Sequence, residues 1–105
     1  MRLFSSLPLQ AVLVLCSAYA TQAQSVQNGA NLAHANCARC HSVERSGLSP
    51  FSEAPPFRTL HHKYPVESLE EALAEGIFTG HPAMPEFVLS PGQIGDFIAF
   101  LKSLE

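Results

Sequence analysis

The chain has 105 residues, of which 47% are hydrophobic and 14% charged, and its formal net charge at pH 7 is −3. This length suits one domain. The mildly acidic balance argues against nucleic acid or anionic lipid as a partner, because both attract basic surfaces. The sequence shows no internal repeat, low-complexity tract or linker to a second domain.

The first two dozen residues have the pattern of a secretory signal peptide. A basic residue is followed by an apolar stretch and then by small residues that offer cleavage after Ala20 or Ala23. The apolar stretch is shorter than the roughly 20 residues that a membrane-spanning helix needs. We therefore expect residues 1–23 to be a signal peptide, residues 24–105 to be the folded domain, and the product to be periplasmic. An uncleaved anchor is the alternative.

Removal of this leader leaves a small domain of 82 residues. A domain of that size buries little apolar surface and needs another source of stability. Cys16 leaves with the leader, so Cys37 and Cys40 are the only cysteines of the domain and no structural disulfide is available. Five basic and nine acidic residues give the domain a net charge of −4.

The segment 27–36 is rich in alanine and predicts a first helix that runs directly into Cys37. Gly29 inside this helix costs about 1 kcal/mol against alanine, so we expect another helix to pack closely against it. His34 precedes the cysteines on the same helix, and we expect it to face solvent.

Residues 37–41 read Cys-Ala-Arg-Cys-His, which is the C-x-x-C-H attachment motif of a c-type haem. Two thiols one helical turn apart can bond to two vinyl groups on one edge of a porphyrin, and the adjacent imidazole can then ligate iron. We therefore expect one covalent haem c, attached through Cys37 and Cys40, with His41 as an axial ligand. The haem would also hold the small domain together.

Two other chemistries share part of this pattern. A thioredoxin-like redox site needs a β-strand just before its C-x-x-C, and residues 29–36 contain no β-branched run. A zinc site would add a further ligand to Cys37, Cys40 and His41, but no second ligand pair has the spacing of a tetrahedral set. The haem is therefore the favoured interpretation.

Residues 42–60 are predicted to form a loop, because prolines and a glycine interrupt regular structure. A loop this long is typical of a chain that wraps around a ligand. The carbonyl of Pro55 or of Pro56 is a rigid acceptor for the second ring nitrogen of His41, and such a bond would fix the histidine tautomer. A plain rigid turn is the alternative.

Several side chains around this loop are candidates for contact with the haem. Phe51, Phe57 and Leu60 are apolar, and we expect them to line the porphyrin. His61 and His62 are not placed as iron ligands. Four polar side chains either hydrogen-bond the haem propionates or lie at the surface, and these are Arg58, Lys63, Tyr64 and Thr79.

A second helix is predicted over residues 66–75, with Pro65 in its first turn and Gly76 as its C-cap. Its apolar residues share one face. Its glutamates form a solvated acidic face, which also suits docking to a basic partner.

Met84 is the second candidate iron ligand and the only methionine after residue 23. It lies in a proline-rich segment, residues 80–85, where a core methionine would be unusual. A thioether is a soft ligand that favours ferrous iron, and Pro82 and Pro85 would hold the segment stiff. We therefore expect Met84 to bind the iron opposite His41, with His81 as the rival ligand.

The last helix is predicted to start at Ser90, which serves as N-cap before a proline and forms a capping box with Gln93. Apolar residues then recur at helical spacing to the end of the chain. We expect this helix to pack on the first one, with Phe97 or Phe100 against Gly29.

In this combination and order, the features resemble the class I monohaem cytochromes c, the small soluble mitochondrial type, over essentially the whole predicted domain. The resemblance is carried by Gly29, residues 37–41, Pro55-Pro56-Phe57, Met84-Pro85 and residues 96–101. The chain departs from the family pattern in two places. Ala33 stands where many relatives carry an aromatic residue, and the proline after the loop is doubled.

The resemblance implies an all-α fold, with three main helices and long loops wrapped around one covalent haem. It implies that the first and last helices cross near Gly29 and Phe100, that His41 and Met84 are the axial ligands, and that Pro55 accepts from His41.

We expect from this a one-electron carrier and not an enzyme, a monomer that docks transiently with a dehydrogenase or an oxidase. The alternatives are a permanently bound haem subunit of a periplasmic dehydrogenase and a peroxidase-like enzyme with an open iron site.

Overall fold

A computed structural model describes residues 24–76 and 83–105 of the chain. Within these ranges the chain consists of helices, turns and irregular segments, with no β-strand, which confirms the predicted all-α class. No helix in the described ranges is long and apolar enough to cross a membrane. The predictions for the leader, Thr79, His81 and Pro82 fall outside the described residues.

Three α-helices form the framework, namely α1 (Val26–Asn36), α2 (Leu69–Glu75) and α3 (Pro91–Ser103). Two short 3-10 helices, Phe57–His62 and Val66–Ser68, lie between α1 and α2. The three α-helices occur where the sequence predicts them. Their order leaves two long connections, one after α1 and one between α2 and α3.

Helix α1 begins one residue earlier than predicted because Ser25 caps it. The Ser25 hydroxyl accepts from the backbone N–H of Asn28 at 3.0 Å, which satisfies one of the unpaired donors of the first turn. At the other end, the Cys37 N–H donates to the Ala33 carbonyl at 2.8 Å. The helix therefore delivers the two cysteines at its C-terminus.

Helix α3 has the predicted capping box. The Gln93 N–H donates to the Ser90 hydroxyl at 3.3 Å, and the Ser90 N–H donates to the Gln93 side-chain oxygen at 3.0 Å. One face of α3 is buried in the core, and it consists of Ile94, Phe97, Ile98, Phe100 and Leu101. This apolar face turns α3 towards α1 and the rest of the core.

Helices α1 and α3 cross at Gly29, as predicted. A side-chain carbon at Gly29 would overlap the Asp96 carbonyl and would lie 2.7 Å from the Cβ of Phe100, so only glycine permits this approach. The Ser25 N–H also donates to the Asp96 carboxylate at 2.7 Å. Phe100 is thus the residue that packs at the crossing, whereas Phe97 packs elsewhere.

The core lies between the α1–α3 crossing and the 3-10 helices. Ala33, Val66 and Leu101 are at most 1% exposed. The rings of Phe57 and Phe97 meet edge to face, with centroids 5.7 Å apart and planes at 87°. This contact packs α3 against the first 3-10 helix, which follows Pro56.

Two sequence predictions about boundaries are wrong. The predicted loop 42–60 ends early, because residues 57–60 already belong to the first 3-10 helix, where the Thr59 N–H donates to the Pro56 carbonyl at 3.0 Å. The predicted helix 66–75 begins as a 3-10 turn, in which the Ser68 N–H donates to the Pro65 carbonyl at 3.0 Å. In both places the proline itself is extended, with φ −58° and ψ 137° at Pro56 and φ −59° and ψ 130° at Pro65, and a tight turn follows it.

Candidate functional site

Residues 37–40 form tight turns that continue from the end of α1. The N–H groups of Cys40 and His41 both donate to the Cys37 carbonyl, at 3.2 and 2.9 Å. Both thiols are free and half-buried. The motif is therefore wound into a compact turn that places two sulfurs and an imidazole side by side.

The Cys37 thiol has a raised pKa. Burial, with a smaller contribution from the neighbouring Cys40, raises this pKa from 9.0 to about 11. Cys37 is therefore a protonated thiol at neutral pH when no cofactor is attached.

His41 is held through one ring nitrogen. Its Nδ1 lies 2.8 Å from the Pro55 carbonyl oxygen, and a carbonyl can only accept, so Nδ1 carries the proton. The other nitrogen, Nε2, is then the one available to a metal. The Pro56 carbonyl is engaged elsewhere, since it accepts from the Thr59 N–H at 3.0 Å and from the Thr59 hydroxyl at 2.7 Å.

Further bonds tie the neighbours of His41 to residues on both sides of the two prolines. The Phe57 N–H donates to the Ser42 carbonyl at 2.9 Å, and the Phe51 N–H donates to the Cys40 carbonyl at 3.1 Å. The rings of His41 and Phe57 lie 4.8 Å apart, centroid to centroid. We call residues 40–42 and 55–58 together the histidine bracket.

A cleft of about 670 Å³ lies beside this bracket, and a second of about 340 Å³ adjoins it. Cys37, His41, Pro55 and Met84 line both clefts, and Cys40 lines the smaller one. The structure therefore brings the two thiols, the imidazole and the thioether, which are 47 positions apart in sequence at most, to the walls of one continuous depression.

The predicted contact residues divide between the clefts and other places. Phe57, Leu60, Lys63 and Tyr64 line the larger cleft, and Phe51 lines the smaller one. Burial raises the pKa of the Tyr64 phenol, so this group is a hydrogen-bond donor at neutral pH. Pro56 and Arg58 line neither cleft, and the Arg58 guanidinium donates instead to the Ser42 hydroxyl at 3.2 Å.

The remaining described histidines lie away from the clefts. Nε2 of His34 is 3.5 Å from a carboxylate oxygen of Glu44 at the surface. The rings of His61 and His62 pack against each other with centroids 4.0 Å apart. In residues 24–76 and 83–105, no three His, Cys, Asp or Glu side chains form a group able to hold one metal ion.

Sequence reasoning missed several residues that line the larger cleft, namely Leu32, Leu69, Leu73, Phe87, Leu89 and Phe97. A signal for two of them exists in the apolar run 87–89 after Pro85, because residues two apart in an extended chain, such as Phe87 and Leu89, point to the same side. The Leu89 N–H donates to the Leu73 carbonyl at 2.9 Å, which fixes this short extended stretch against α2.

The residues around the clefts fit a haem. The walls are mostly aliphatic and aromatic, as a flat apolar macrocycle requires. The possible iron donors are an imidazole, whose Nε2 carries no proton, and a thioether. The two thiols, three positions apart in sequence, both line the smaller cleft. These side chains would hold the iron and the macrocycle respectively.

Comparison with known proteins agrees with this geometry. The family model for cytochrome c matches residues 26–105. A cytochrome c-552 from Bradyrhizobium diazoefficiens is 33% identical to the chain over 91 residues, which cover 87% of this chain and 86% of the relative. No solved structure matches the chain significantly.

The family match covers more than half of the chain and includes all the residues of the site. Proteins of this family bind covalent haem c and generally act as electron carriers that work with redox partners, and Cys37 and Cys40 have the spacing of the attachment motif. The chain belongs to the class I monohaem cytochromes c, with haem c as its cofactor and electron transfer as its activity.

Proposed function

We propose that this chain is an exported one-electron carrier whose haem is bonded to Cys37 and Cys40 and whose iron is ligated by His41 and Met84. The observation that carries the proposal is the shared lining of both clefts by His41 and Met84, together with the bond that directs Nε2 of His41 away from Pro55. An imidazole and a thioether form the ligand pair that favours a raised reduction potential.

When bound, the haem supplies an iron that alternates between Fe(III) and Fe(II). The chain's own residues supply a rigid and water-poor setting. Phe57 and Leu60 are about 6% exposed and line the larger cleft, so they exclude water from it. The Pro55 carbonyl holds the His41 ring in one orientation. Ligands that are held in place in both oxidation states keep the rearrangement on electron transfer small.

Export is part of the proposal. Residues 1–23 have the pattern of a cleavable leader, the family match begins at residue 26, and haem c is attached outside the cytoplasm. We expect the mature chain, residues 24–105 or a form three residues longer, to be a periplasmic monomer. Mass spectrometry of the purified haemoprotein gives the cleavage position, and retention of the leader would contradict this step.

The partners are proposed to be a periplasmic dehydrogenase that donates electrons, an oxidase that accepts them, or both. A carrier must release each partner, so docking is expected to be weak and sensitive to salt. The negative net charge of the domain favours partners with a basic docking face.

Covalent attachment is tested by extraction with acidified acetone and by the pyridine haemochrome spectrum. We expect the pigment to stay with the polypeptide and the spectrum to be that of haem c. The double variant Cys37→Ala, Cys40→Ala is the control, and its pigment should be extracted completely. Extraction of the pigment from the wild-type protein would refute covalent attachment.

The second axial ligand is tested by the charge-transfer band that a thioether bound to ferric haem produces in the far red. We expect Met84→Ala to abolish this band and His81→Ala, the matched control from the same segment, to retain it. An unchanged band in Met84→Ala would overturn the assignment of Met84, and absence of the band from the wild-type ferric protein would favour the rival ligand His81.

A further inference from the structure

Ser42 follows the proposed ligand His41 directly and is 7% exposed, and each of its polar atoms has a partner. Its N–H donates to the Ser49 hydroxyl at 2.9 Å, and its carbonyl accepts from the Phe57 N–H at 2.9 Å. Its own hydroxyl accepts from Arg58 Nη1 at 3.2 Å and donates to the Ser46 carbonyl at 3.4 Å. A buried serine bonded in this way has one position only.

These bonds complete a ladder within the histidine bracket. The His41 ring bonds to Pro55, the Ser42 backbone bonds to Phe57, and the Ser42 hydroxyl bonds to Arg58. The three bridges follow each other along both segments. Arg58 therefore closes one end of the ladder, and the bond between His41 and Pro55 forms the other end.

The position of Arg58 bears on its role. Its guanidinium is engaged by Ser42, and the residue lines neither cleft, unlike Lys63 and Tyr64 two turns further along. A group that reaches haem carboxylates would have to face a cleft. The contacts of Arg58 instead run to the residue next to the proposed ligand.

We propose that Arg58 is a positioning residue for His41, acting through the Ser42 hydroxyl to hold the Pro55 carbonyl against Nδ1. This inference rests on the proposed function, because it takes His41 as an iron ligand. The role requires only the guanidinium donor and the serine hydroxyl, and it assigns no contact between Arg58 and the haem.

The expected consequence has a definite sign. A hydrogen bond from Nδ1–H to a carbonyl makes the imidazole a stronger donor, and a stronger donor stabilises Fe(III) over Fe(II). Loosening this bond through Ser42 therefore raises the reduction potential. Loss of a positive charge beside the haem would do the opposite, because a nearby cation favours the more negatively charged reduced state.

The test measures hydrogen exchange of the His41 ring Nδ1 proton by NMR in the reduced holoprotein, with the reduction potential as a second readout. We expect Ser42→Ala and Arg58→Leu each to accelerate this exchange about tenfold, the factor that the loss of one ordinary hydrogen bond corresponds to. Ser42→Ala, which removes no charge, should also raise the potential. Arg58→Lys keeps a donor and should restore most of the protection.

Two controls separate a local effect from a general one. Arg45→Leu removes an exposed arginine from the same loop and should leave the Nδ1 exchange unchanged. The backbone amide of Leu101, buried in α3, should exchange at the wild-type rate in every variant. The double variant Ser42→Ala, Arg58→Leu should exchange no faster than either single variant, because both remove the same link.

Wild-type exchange of the His41 proton in Arg58→Leu, or additive effects in the double variant, would overturn the inference. A lowered potential in Arg58→Leu with unchanged exchange would make Arg58 a partner of the haem carboxylates. If the wild-type spectrum lacked a histidine ligand, the proposed function itself would fail, and that result is read before any variant is made.

Discussion

The segments that carry His41 and Met84 are anchored in different ways. His41 is bonded through its own ring to Pro55 at 2.8 Å. The residues on either side of it are bonded as well, Cys40 to Phe51 at 3.1 Å and Ser42 to Phe57 at 2.9 Å. The imidazole is therefore fixed by the bond of its own ring and by backbone bonds of both neighbouring residues.

In the Met84 segment, contacts to α2 and to Gly76 hold the residues that follow the methionine. The Leu89 N–H donates to the Leu73 carbonyl at 2.9 Å, five residues after Met84. Nearer to Met84, the Glu86 side chain lies over Gly76 in the space that a Cβ would take. These contacts join the two ends of the connection between α2 and α3.

We therefore expect the two proposed ligands to differ in how firmly they hold the iron. An imidazole strengthened by a carbonyl is a strong donor, whereas a thioether is a softer and weaker one. We expect the bond between iron and Met84 to open before the bond to His41 under heat, denaturant or alkali. Four predictions probe this contrast.

The largest effect is expected on removing the two proposed ligands. His41→Ala should lower the free energy of unfolding of the haemoprotein by more than about 4 kcal/mol, because a ligand and the bracket bond to Pro55 are lost together. Met84→Ala should cost only about 1–2 kcal/mol while abolishing the far-red band. Guanidinium unfolding followed by circular dichroism gives both values. Equal losses would remove the contrast.

The next effect concerns the aromatic residues next to each ligand. Phe57 is 6% exposed and contacts both His41 and Phe97, so Phe57→Ala should cost about 3–5 kcal/mol. Phe87 is half-buried and lines the same clefts as Met84, so Phe87→Ala should lower the free energy of unfolding by only about 1–2 kcal/mol. Thermal melts of the two variants make the comparison. A larger loss for Phe87→Ala would place the main packing on the methionine side.

Two glycines with positive φ provide a matched pair. Gly76 has φ +91° and Gly47 has φ +97°, so alanine at either position should cost about 1–3 kcal/mol of backbone strain. At Gly76 the added Cβ also displaces the Glu86 side chain, whereas the space around Gly47 is open. Gly76→Ala should therefore weaken the far-red band as well, and Gly47→Ala should leave it intact. If the band were weakened equally in both variants, the Glu86 side chain would not contribute to the placement of Met84.

The smallest effect is expected far from both ligands, at the surface pair Glu67 and Lys102. A hydrogen bond from Lys102 holds the pKa of Glu67 below its ordinary value of 4.5. The stabilisation is therefore present above the unfolded pKa and is lost as the pH falls through the lowered folded value. Glu67→Gln should show a slightly lower melting temperature at pH 7, no difference at pH 2, and an unchanged far-red band.

Salt provides the control for that prediction. The two side chains lie at the surface, with Lys102 51% and Glu67 45% exposed, so the difference between wild type and Glu67→Gln should shrink as ionic strength rises. A difference that persists at pH 2 would mean that the substitution acts through something other than the charge of Glu67.

The parts of the fold that the sequence predicts correctly depend on nearby residues. The capping box of Ser90 and Gln93 spans four residues, and the Gly76 C-cap depends on one. The C-x-x-C-H motif is equally local, since its chemistry is fixed by the spacing of Cys37, Cys40 and His41. The crossing at Gly29 could be predicted as well, because a glycine destabilises a helix and is explained when another helix packs closely against it.

What the sequence could not specify depends on residues brought together from a distance. Nothing local decides whether Pro55 or Pro56 faces His41, because both carbonyls are rigid, and the choice follows from the bond between Ser42 and Phe57. The contact of Arg58 with Ser42 spans 16 positions for the same reason. The 3-10 start of the second helix reflects the turn after Pro65 more than helix propensity.

The account depends most on the iron lying between His41 and Met84, and one NMR spectrum tests that directly. After residue 23 the chain has a single methionine, so methyl-labelled, leaderless holoprotein gives one methionine methyl signal. A ligand held over the face of the macrocycle experiences its ring current. The account predicts that in the reduced protein this signal is shifted far upfield of the ordinary methionine region. A signal at the ordinary position would contradict it.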